Sequence, residues 1–173
     1  LWISTKKQGV YTAVIPPQLK FEKSSLKNLT SETNGLMSNN ITAICVDDKG
    51  LIWLGSEEGS IFTYDSQKKK VTDLSNVFDM LEESIFNIVT DRLEHIWIST
   101  NKRIIEYEPK NGGIMDYSTM DDILVNSFMP NSYFISRSGR MLYGGNRGIT
   151  AFTPYERLSA VSYTHLRAHE TEL

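Results

Sequence analysis

The chain is poor in the residues that most enzyme and metal sites need. Its 173 residues include one cysteine and three histidines. A single cysteine cannot form an intrachain disulfide, and Cys45 lies in the apolar stretch ITAICV, where a small buried side chain is expected rather than a nucleophile. The serines lack a nucleophile-elbow motif, and GGNRG lacks the lysine of a phosphate-binding loop. The sequence therefore predicts no catalytic residue, no cofactor and no metal site.

Strong charge of one sign and long apolar runs are also absent. A net charge of −3 excludes a strongly basic surface, so no nucleic-acid binding is predicted. No apolar run approaches the roughly 20 residues that cross a bilayer. The 40% of hydrophobic residues is enough for a buried core. The chain begins without an initiator methionine or a leader and inside a strand-like segment, so we expect a metagenomic fragment of a longer protein.

The last thirteen residues contain the one cluster that suggests metal binding. His165 and His169 are spaced i, i+4 before Glu170, and on a helix the two imidazoles would share a face, as zinc ligands do. Residues 161–171, VSYTHLRAHET, however resemble the translation of a transposase-based sequencing adapter at all eleven positions. We therefore interpret residues 159–173 as a non-native tail, with adapter read-through from residue 161, and expect the natural gene to continue beyond residue 160.

Four similar segments recur along the chain. They are LWISTKKQGVYTA, GLIWLGSEEGSIFTYD, HIWISTNKRIIEYE and MLYGGNRGITAFTP, aligned on Trp2, Trp53, Trp97 and Leu142. The spacings are 51, 44 and 45 residues, and a regular period of roughly 40–50 residues indicates a repeat architecture. The second and third repeats also agree upstream, where Ile41, Ile44 and Asp47 correspond to Ile85, Ile88 and Asp91.

Each repeat predicts short strands joined by turns. In the second repeat the strands are ITAICV, LIWLGS, SIFTYD and VTDLS, separated by DDKG, EEG and SQKKK. These strands carry apolar residues on both faces, which is typical of sheets covered on both sides. Four-stranded antiparallel sheets at this period predict an all-β fold. The specific prediction is a partial β-propeller, an open arc of about three blades plus part of a fourth.

The repeated positions are predicted to be structural. The aromatic positions should pack between adjacent blades, the aspartates should bond the backbone of the turns that they open, and the turn glycines should adopt positive φ. These structural repeat positions are Trp2, Trp53, Trp97, Leu142, Asp47, Asp91, Gly50, Gly59, Gly139 and Gly148. The residues that contact a ligand are not identified by any motif in the chain.

The repeat boundaries divide the chain into blades. We expect a partial blade with a long polar connection at 1–40, blades at 41–84 and 85–127, a partial closing blade at 128–158, and the tail. The connection covers residues 16–40, and residues 76–84 are expected to form a short helical turn. An open arc would leave the outer faces of its first and last blades exposed.

Two stretches resemble a known family. NNITAICVDDKGLIWLGSEEG and HIWIST resemble the regulator-propeller repeats of bacterial two-component sensors, in which a D-x-x-G turn precedes a W-[IL]-G-T strand. SRSGRMLYGGNRGITAFTP resembles the closing blade of hybrid two-component systems, whose G-G-x-x-G-x-x-x-F-x-P ending leads into a β-sandwich. The chain departs from the pattern at Glu94, Arg103 and Leu142, which replace two glycines and a tryptophan.

This resemblance implies a function that composition and spacing do not. It implies a non-enzymatic segment of the periplasmic ectodomain of an inner-membrane histidine kinase, a homodimer that senses an oligosaccharide. Its partners would be the remaining blades and a following β-sandwich of the same chain. Two other classes stay open: a propeller scaffold for protein–protein interaction, and part of a propeller lyase or glycosidase whose catalytic residues lie on other blades.

Overall fold

The chain forms four antiparallel sheets. The structure, a computed structural model, describes residues 1–17, 25–78, 83–117 and 127–154. Within these residues the two helices are each four residues long, and neither has the length and hydropathy needed to cross a bilayer. The predicted all-β fold, an open partial propeller, is confirmed.

Each sheet is a meander of strands that follow one another along the chain. Blade 1 contains β1 (Trp2–Ser4), β2 (Val10–Thr12) and β3 (Lys27–Leu29), and blade 2 contains β4 (Ile41–Val46), β5 (Ile52–Ser56), β6 (Ile61–Asp65) and β7 (Lys70–Asp73). Blade 3 contains β8 (Ile85–Thr90), β9 (Ile96–Thr100), β10 (Ile104–Glu108) and β11 (Gly113–Asp116), and blade 4 contains β12 (Phe128–Ile135), β13 (Met141–Gly145) and β14 (Gly148–Phe152). The helices are α1 (Ser31–Asn34) and α2 (Ser75–Phe78), each between two blades.

The segment at 16–40 differs from the expected polar connection. It contributes β3 and α1, and Val10 pairs with Leu29 in blade 1. Leu29 and Leu36 are both buried, which explains why the described part of this mostly polar segment folds onto the sheet. The helical turn expected at 76–84 is partly present as α2, and residues 79–82 lie outside the described part of the chain.

The hydrophobic core lies between the sheets and consists of three clusters. We call the interfaces seam 1/2, seam 2/3 and seam 3/4, after the blades that they join. Seam 1/2 buries Val10, Leu29, Leu36, Ile41, Ile52, Leu54, Phe62 and Tyr64; seam 2/3 buries Ala43, Trp53, Ile61, Phe78, Ile85, Ile88, Ile96, Ile98 and Ile105; seam 3/4 buries Val89, Trp97, Ile104, Tyr117, Phe128, Met141, Tyr143 and Phe152. Because blades 2 and 3 each contribute to the seams on their two sides, their strands must be apolar on both faces.

Hydrogen bonds between blades accompany this packing. The Ile41 amide donates to the Thr5 carbonyl at 3.0 Å across seam 1/2, and the Phe128 amide donates to the Asn101 carbonyl at 3.0 Å across seam 3/4. Across seam 2/3 the Ser84 hydroxyl donates to the Glu57 carbonyl at 2.7 Å. In all three seams the acceptor directly follows the strand that carries the aligned tryptophan. The acceptor therefore occupies an equivalent position in each seam, while the donor is a backbone amide in two seams and a serine hydroxyl in the third.

The two ends of the arc expose apolar side chains. On the outer face of blade 4, Phe134 and Ile149 are each 62% exposed. On blade 1, Val14 is 85% exposed and Ile3 is 43% exposed. These are the faces against which further sheets would pack, and large contiguous apolar patches favour association.

We therefore predict that the 173-residue chain self-associates at micromolar concentration. Substituting Phe134→Ser together with Ile149→Ser should lower the weight-average mass in sedimentation velocity, because it removes the apolar surface of blade 4. The control is Ile114→Ser, at an exposed apolar side chain on the last strand of blade 3. A cooperative melt from a monomeric parent chain would contradict the prediction.

Candidate functional site

Polar loops gather at one end of the arc. Because the strands are antiparallel, the connections between blades emerge at the same end as the hairpins that follow β1, β5, β9 and β13. The described residues here are 5–9, 30–40, 57–60, 74–78, 83–84, 101–103, 127 and 146–147, and we call this end the loop face. The Gly9 amide donates to the Asn39 carbonyl at 2.8 Å, and the Glu57 amide donates to the Asn40 carbonyl at 3.1 Å. The loops of neighbouring blades are therefore held together.

Two glutamates form an anchored acidic corner on the loop face. The Asn40 side-chain amide donates to both the Glu57 and the Glu58 carboxylates. The Ser38 hydroxyl donates to Glu58 Oε2 at 2.9 Å. Burial opposes ionisation of Glu58, but hydrogen bonds from Ser38, the backbone, Ser56 and Asn40 outweigh it and lower its pKa. The corner therefore presents an ionised carboxylate in a fixed position.

A second charged pair on the loop face joins two consecutive segments. Arg103 Nη2 lies 2.8 Å from Glu83 Oε1, and Arg103 Nε donates to the same oxygen at 3.0 Å. The Thr100 hydroxyl donates to Glu83 Oε2 at 2.7 Å. Burial opposes ionisation of Glu83, but the bonds from Arg103 and Thr100 outweigh it and lower its pKa. Arg103, which stands where the family pattern has glycine, thus fixes the segment that enters blade 3.

Two buried amide oxygens on the loop face have no hydrogen-bond partner among the described residues. They are Asn40 Oδ1 and Asn101 Oδ1. A buried oxygen of this kind costs free energy unless it accepts a hydrogen bond, so its presence calls for an explanation. Both oxygens lie beneath the surface of the loop face, so they mark where a small polar molecule such as water would satisfy a hydrogen bond.

A polar cluster lies in seam 3/4 and extends along blade 3 from the turn after β8, at the end opposite the loop face, to Tyr117, which directly follows β11. His95 Nδ1 is 2.6 Å from Glu106 Oε1 and 3.9 Å from Asp91 Oδ2. The Tyr117 hydroxyl donates to Glu106 Oε2 at 2.6 Å, and Trp97 Nε1 donates to Asp91 Oδ2 at 2.7 Å. One potential ligand atom from each of Asp91, His95 and Glu106 lies within 4.8 Å of the other two, so these residues could hold a metal ion.

The repeated tryptophans lie at the seams between blades. Trp53 is buried in seam 2/3, Trp97 is buried in seam 3/4, and Trp2 is half-buried against Tyr64 at a ring-centroid distance of 6.1 Å. Leu142, at the fourth position, lies on the outer face of blade 4 with its cross-strand neighbour Phe134. None of the three indoles is arranged for stacking on a ligand at the loop face.

The repeated aspartates bond both the turn backbone and an indole. Asp47 Oδ1 accepts from the Lys49 and Leu51 amides at 3.0 and 2.9 Å, while Oδ2 accepts from Trp53 Nε1 at 3.1 Å. Asp91 bonds the corresponding turn and Trp97 in the same way. The bond to the indole was missed from sequence, although the constant spacing of six residues between aspartate and tryptophan is a signal for it.

The turn glycines adopt the left-handed conformation where a side chain would be strained. Gly50 has φ 78°, and the other three positions, Gly59, Gly139 and Gly148, have φ values of 89°, 85° and 131°. In blade 3 the residue aligned with Gly50 is Glu94, which adopts φ 67° despite its side chain. The turn therefore keeps its shape without the glycine.

Cys45 differs from the small buried side chain that was expected. It is half-buried and lines a groove of about 490 Å³ along β4, β8 and β12. These are the first strands of blades 2, 3 and 4, and β8 contacts both neighbours at the inner side of the arc. Burial raises the pKa of the Cys45 thiol, so the thiol stays protonated and poorly nucleophilic.

Sequence reasoning did not find the Glu83–Arg103 pair or the His95–Glu106 pair. The partners are 20 and 11 residues apart, and each pair forms only through the sheet and loop geometry. A position-by-position comparison of blades 2 and 3 could have indicated the His95–Glu106 pair. Blade 2 has Leu51 and Thr63 at the positions of His95 and Glu106, so both polar residues are particular to blade 3. The histidines and glutamate singled out near the end of the chain, His165, His169 and Glu170, lie outside the described residues.

The fold and its seams define a segment of a β-propeller. Residues 35–58 match the family model described as Two component regulator propeller, which confirms the resemblance seen in the second repeat. This segment includes the turn opened by Asp47 and the strand that carries Trp53.

Several proteins similar to this chain are a histidine kinase or extracellular domains of hybrid two-component systems. Histidine kinase P4 of Formosa agariphila is 20% identical over 193 residues, which cover 82% of this chain. The extracellular domain of the hybrid two component system BT3049 from B. thetaiotaomicron aligns with a TM-score of 0.71 at 16% identity, and that of BT4673 aligns with 0.66 at 22%. Each alignment covers 87% of this chain. The chain spans 14%, 20% and 19% of these three relatives, so the likeness concerns one part of much longer proteins.

The aspartate–indole bond predicts a specific loss of stability. Asp47→Ala should lower the free energy of unfolding by about 2–4 kcal/mol, because it leaves two turn amides and the Trp53 indole without an acceptor. Urea unfolding followed by tryptophan fluorescence measures the change. Asp48→Ala, at the exposed neighbouring residue, should change the free energy by less than about 0.5 kcal/mol. Equal effects of the two substitutions would contradict this role.

The Glu83 pair predicts a pH dependence. The pKa of Glu83 is lowered in the folded state, so its contribution to stability is present above the ordinary value of 4.5 and is lost as the pH falls through the folded pKa. Glu83→Gln should therefore destabilise the chain at pH 7, and this destabilisation should shrink as the pH falls below 4.5. Thermal unfolding across this range tests the effect, with Glu94→Gln as the control at a more exposed carboxylate. A destabilisation that does not vary with pH would contradict it.

Proposed function

We propose that this chain is part of the periplasmic, ligand-sensing propeller of a hybrid two-component system, and that it passes the state of its ligand to a histidine kinase of the same protein. The observation that supports this most directly is the regulator-propeller match at residues 35–58. The fold likeness to extracellular domains of such systems over 87% of the chain supports it further.

The chemistry of the loop face supports an oligosaccharide as the ligand. A sugar presents neighbouring hydroxyls that both donate and accept hydrogen bonds. The face offers fixed, exposed acceptors in the Glu57 and Glu58 carboxylates, and the unpartnered Asn40 and Asn101 oxygens lie buried beneath it. Because most of these groups are already held by neighbouring loops, little conformational entropy is lost when they bind a ligand.

The same loops provide a route for the signal. Thr5, Glu57 and Asn101 each accept a hydrogen bond from the next blade, and each lies in or beside a loop that faces the ligand. A ligand that bridges two loops would favour one relative position of the blades, and a change of population between such positions is sufficient for signalling. We propose that further blades, a following β-sandwich and a second copy of the protein complete the sensor.

Calorimetry of the complete ectodomain against a panel of oligosaccharides tests this function. We expect one class of glycan to bind, and Asn101→Ala or Glu57→Gln to weaken it at least tenfold, about 1.4 kcal/mol. Asp48→Asn, at the opposite end of blade 2, should leave the affinity unchanged.

The gene provides an independent test. Coding sequence for a β-sandwich, one membrane helix and a kinase domain should follow the codon for Pro154. Binding of a protein partner with no heat from any glycan would support the scaffold alternative, and a catalytic domain after the propeller would contradict a sensor.

A further inference from the structure

The polar cluster of seam 3/4 has no counterpart in seam 2/3. Trp97 pairs across the strands with Glu106, whereas Trp53 pairs with Thr63. The residue two positions before the tryptophan is His95 in blade 3 and Leu51 in blade 2. The residue after the last strand is Tyr117 in blade 3 and Leu74 in blade 2. The repeat therefore folds without these three polar groups, and blade 3 carries all three together.

Together with Asp91, the side chains of His95 and Glu106 bring buried ionisable groups into the seam. The side chains of Asp91 and Glu106 are only 5% and 14% exposed, and that of His95 is 16% exposed. Two carboxylates this close repel one another unless a positive charge lies between them. Either a protonated His95 or a divalent cation can supply that charge, and the remaining exposure of His95 and Glu106 gives an ion a way in.

The donor atoms are close to the arrangement that a tetrahedral ion needs. Metal bonds of about 2.0–2.2 Å place neighbouring ligand atoms roughly 3.3–3.6 Å apart. The separations from His95 Nδ1 are 2.6 Å to Glu106 Oε1 and 3.9 Å to Asp91 Oδ2, which lie on either side of that range. The three donor atoms lie within 4.8 Å of one another, so an ion would have to draw at least some of them closer together. One imidazole and two carboxylates are ligands of zinc and neighbouring divalent transition metals.

A buried hydroxyl in the same seam has no partner. Tyr143 is 2% exposed, and its hydroxyl makes no hydrogen bond within the described residues. Burial, then Tyr133 and Asp91, raise the pKa of Tyr143, so the hydroxyl stays neutral. The aligned residues, Leu54 and Ile98, are aliphatic. A fourth polar group is thus directed into this seam, where a metal-bound water would give it a partner.

The geometry points to a divalent transition-metal site of the zinc class in seam 3/4, with Asp91 Oδ2, His95 Nδ1 and Glu106 Oε1 as protein ligands. A water molecule near the Tyr143 hydroxyl completes the coordination. The ion stabilises the seam by joining the turn that follows β8 to β10. The site is separate from the loop face, so it does not depend on the proposed sensing function.

Zinc binding to the 173-residue chain tests the site. The parent protein carries His165→Ala and His169→Ala, because those two imidazoles at the end of the chain could bind zinc themselves. Equilibrium dialysis should give one zinc ion per chain. Co²⁺ bound in place of zinc should show the visible absorption of a tetrahedral site with nitrogen and oxygen ligands. Zinc binding should raise the melting temperature of the chain.

The matched variant gives blade 3 the residues of blade 2. His95→Leu with Glu106→Thr should keep the cooperative unfolding transition and weaken zinc binding at least 100-fold. Glu106→Gln, which preserves the size of the side chain, should weaken it at least tenfold and provides a second test if the double variant does not fold. The proposal is overturned if the parent does not bind zinc, or if the folded variants bind zinc as tightly as the parent. In either case the cluster would be a hydrogen-bond network only.

Discussion

Burial of both faces of every inner sheet is the constraint on which this structure depends. A single blade has no core of its own, because its apolar side chains point to two sides of a thin sheet. Ile61 and Ile105 are buried only because another sheet covers them. Stability therefore arises from contacts between nearest neighbours, as in other repeat proteins, and each seam depends on the two blades that form it.

In blades 2 and 3 a hydrogen bond from the tryptophan indole to an aspartate allows the tryptophan to be buried between the sheets. A tryptophan placed between sheets buries a large apolar surface but also carries an N–H group that must be paired. Asp47 and Asp91 accept that hydrogen bond and, with the other oxygen, hold the turn before the strand. Blade 4 has Ser136 and Leu142 at these positions, so the loss of the indole accompanies the loss of its acceptor.

The fold was largely predictable because its signal is repeated and local. The period, the strand pattern and the turn glycines each occur several times, so an irregular copy such as the turn at Glu94 did not hide them. The strand β3 was missed, because three residues within a polar segment show no periodicity and form a strand only by pairing with β2. The site was less predictable, since pairs such as His95 and Glu106 meet through cross-strand register. No short motif encodes such a distance.

The inter-blade bonds that end on backbone carbonyls have a consequence for evolution. The acceptors at Thr5, Glu57 and Asn101 are peptide groups, which every residue type possesses. The joints can thus persist while the side chains at the same positions diversify, as threonine, glutamate and asparagine already do within this one chain. Substitutions on the loop face can therefore change what it recognises, one residue at a time, without changing how the blades are assembled.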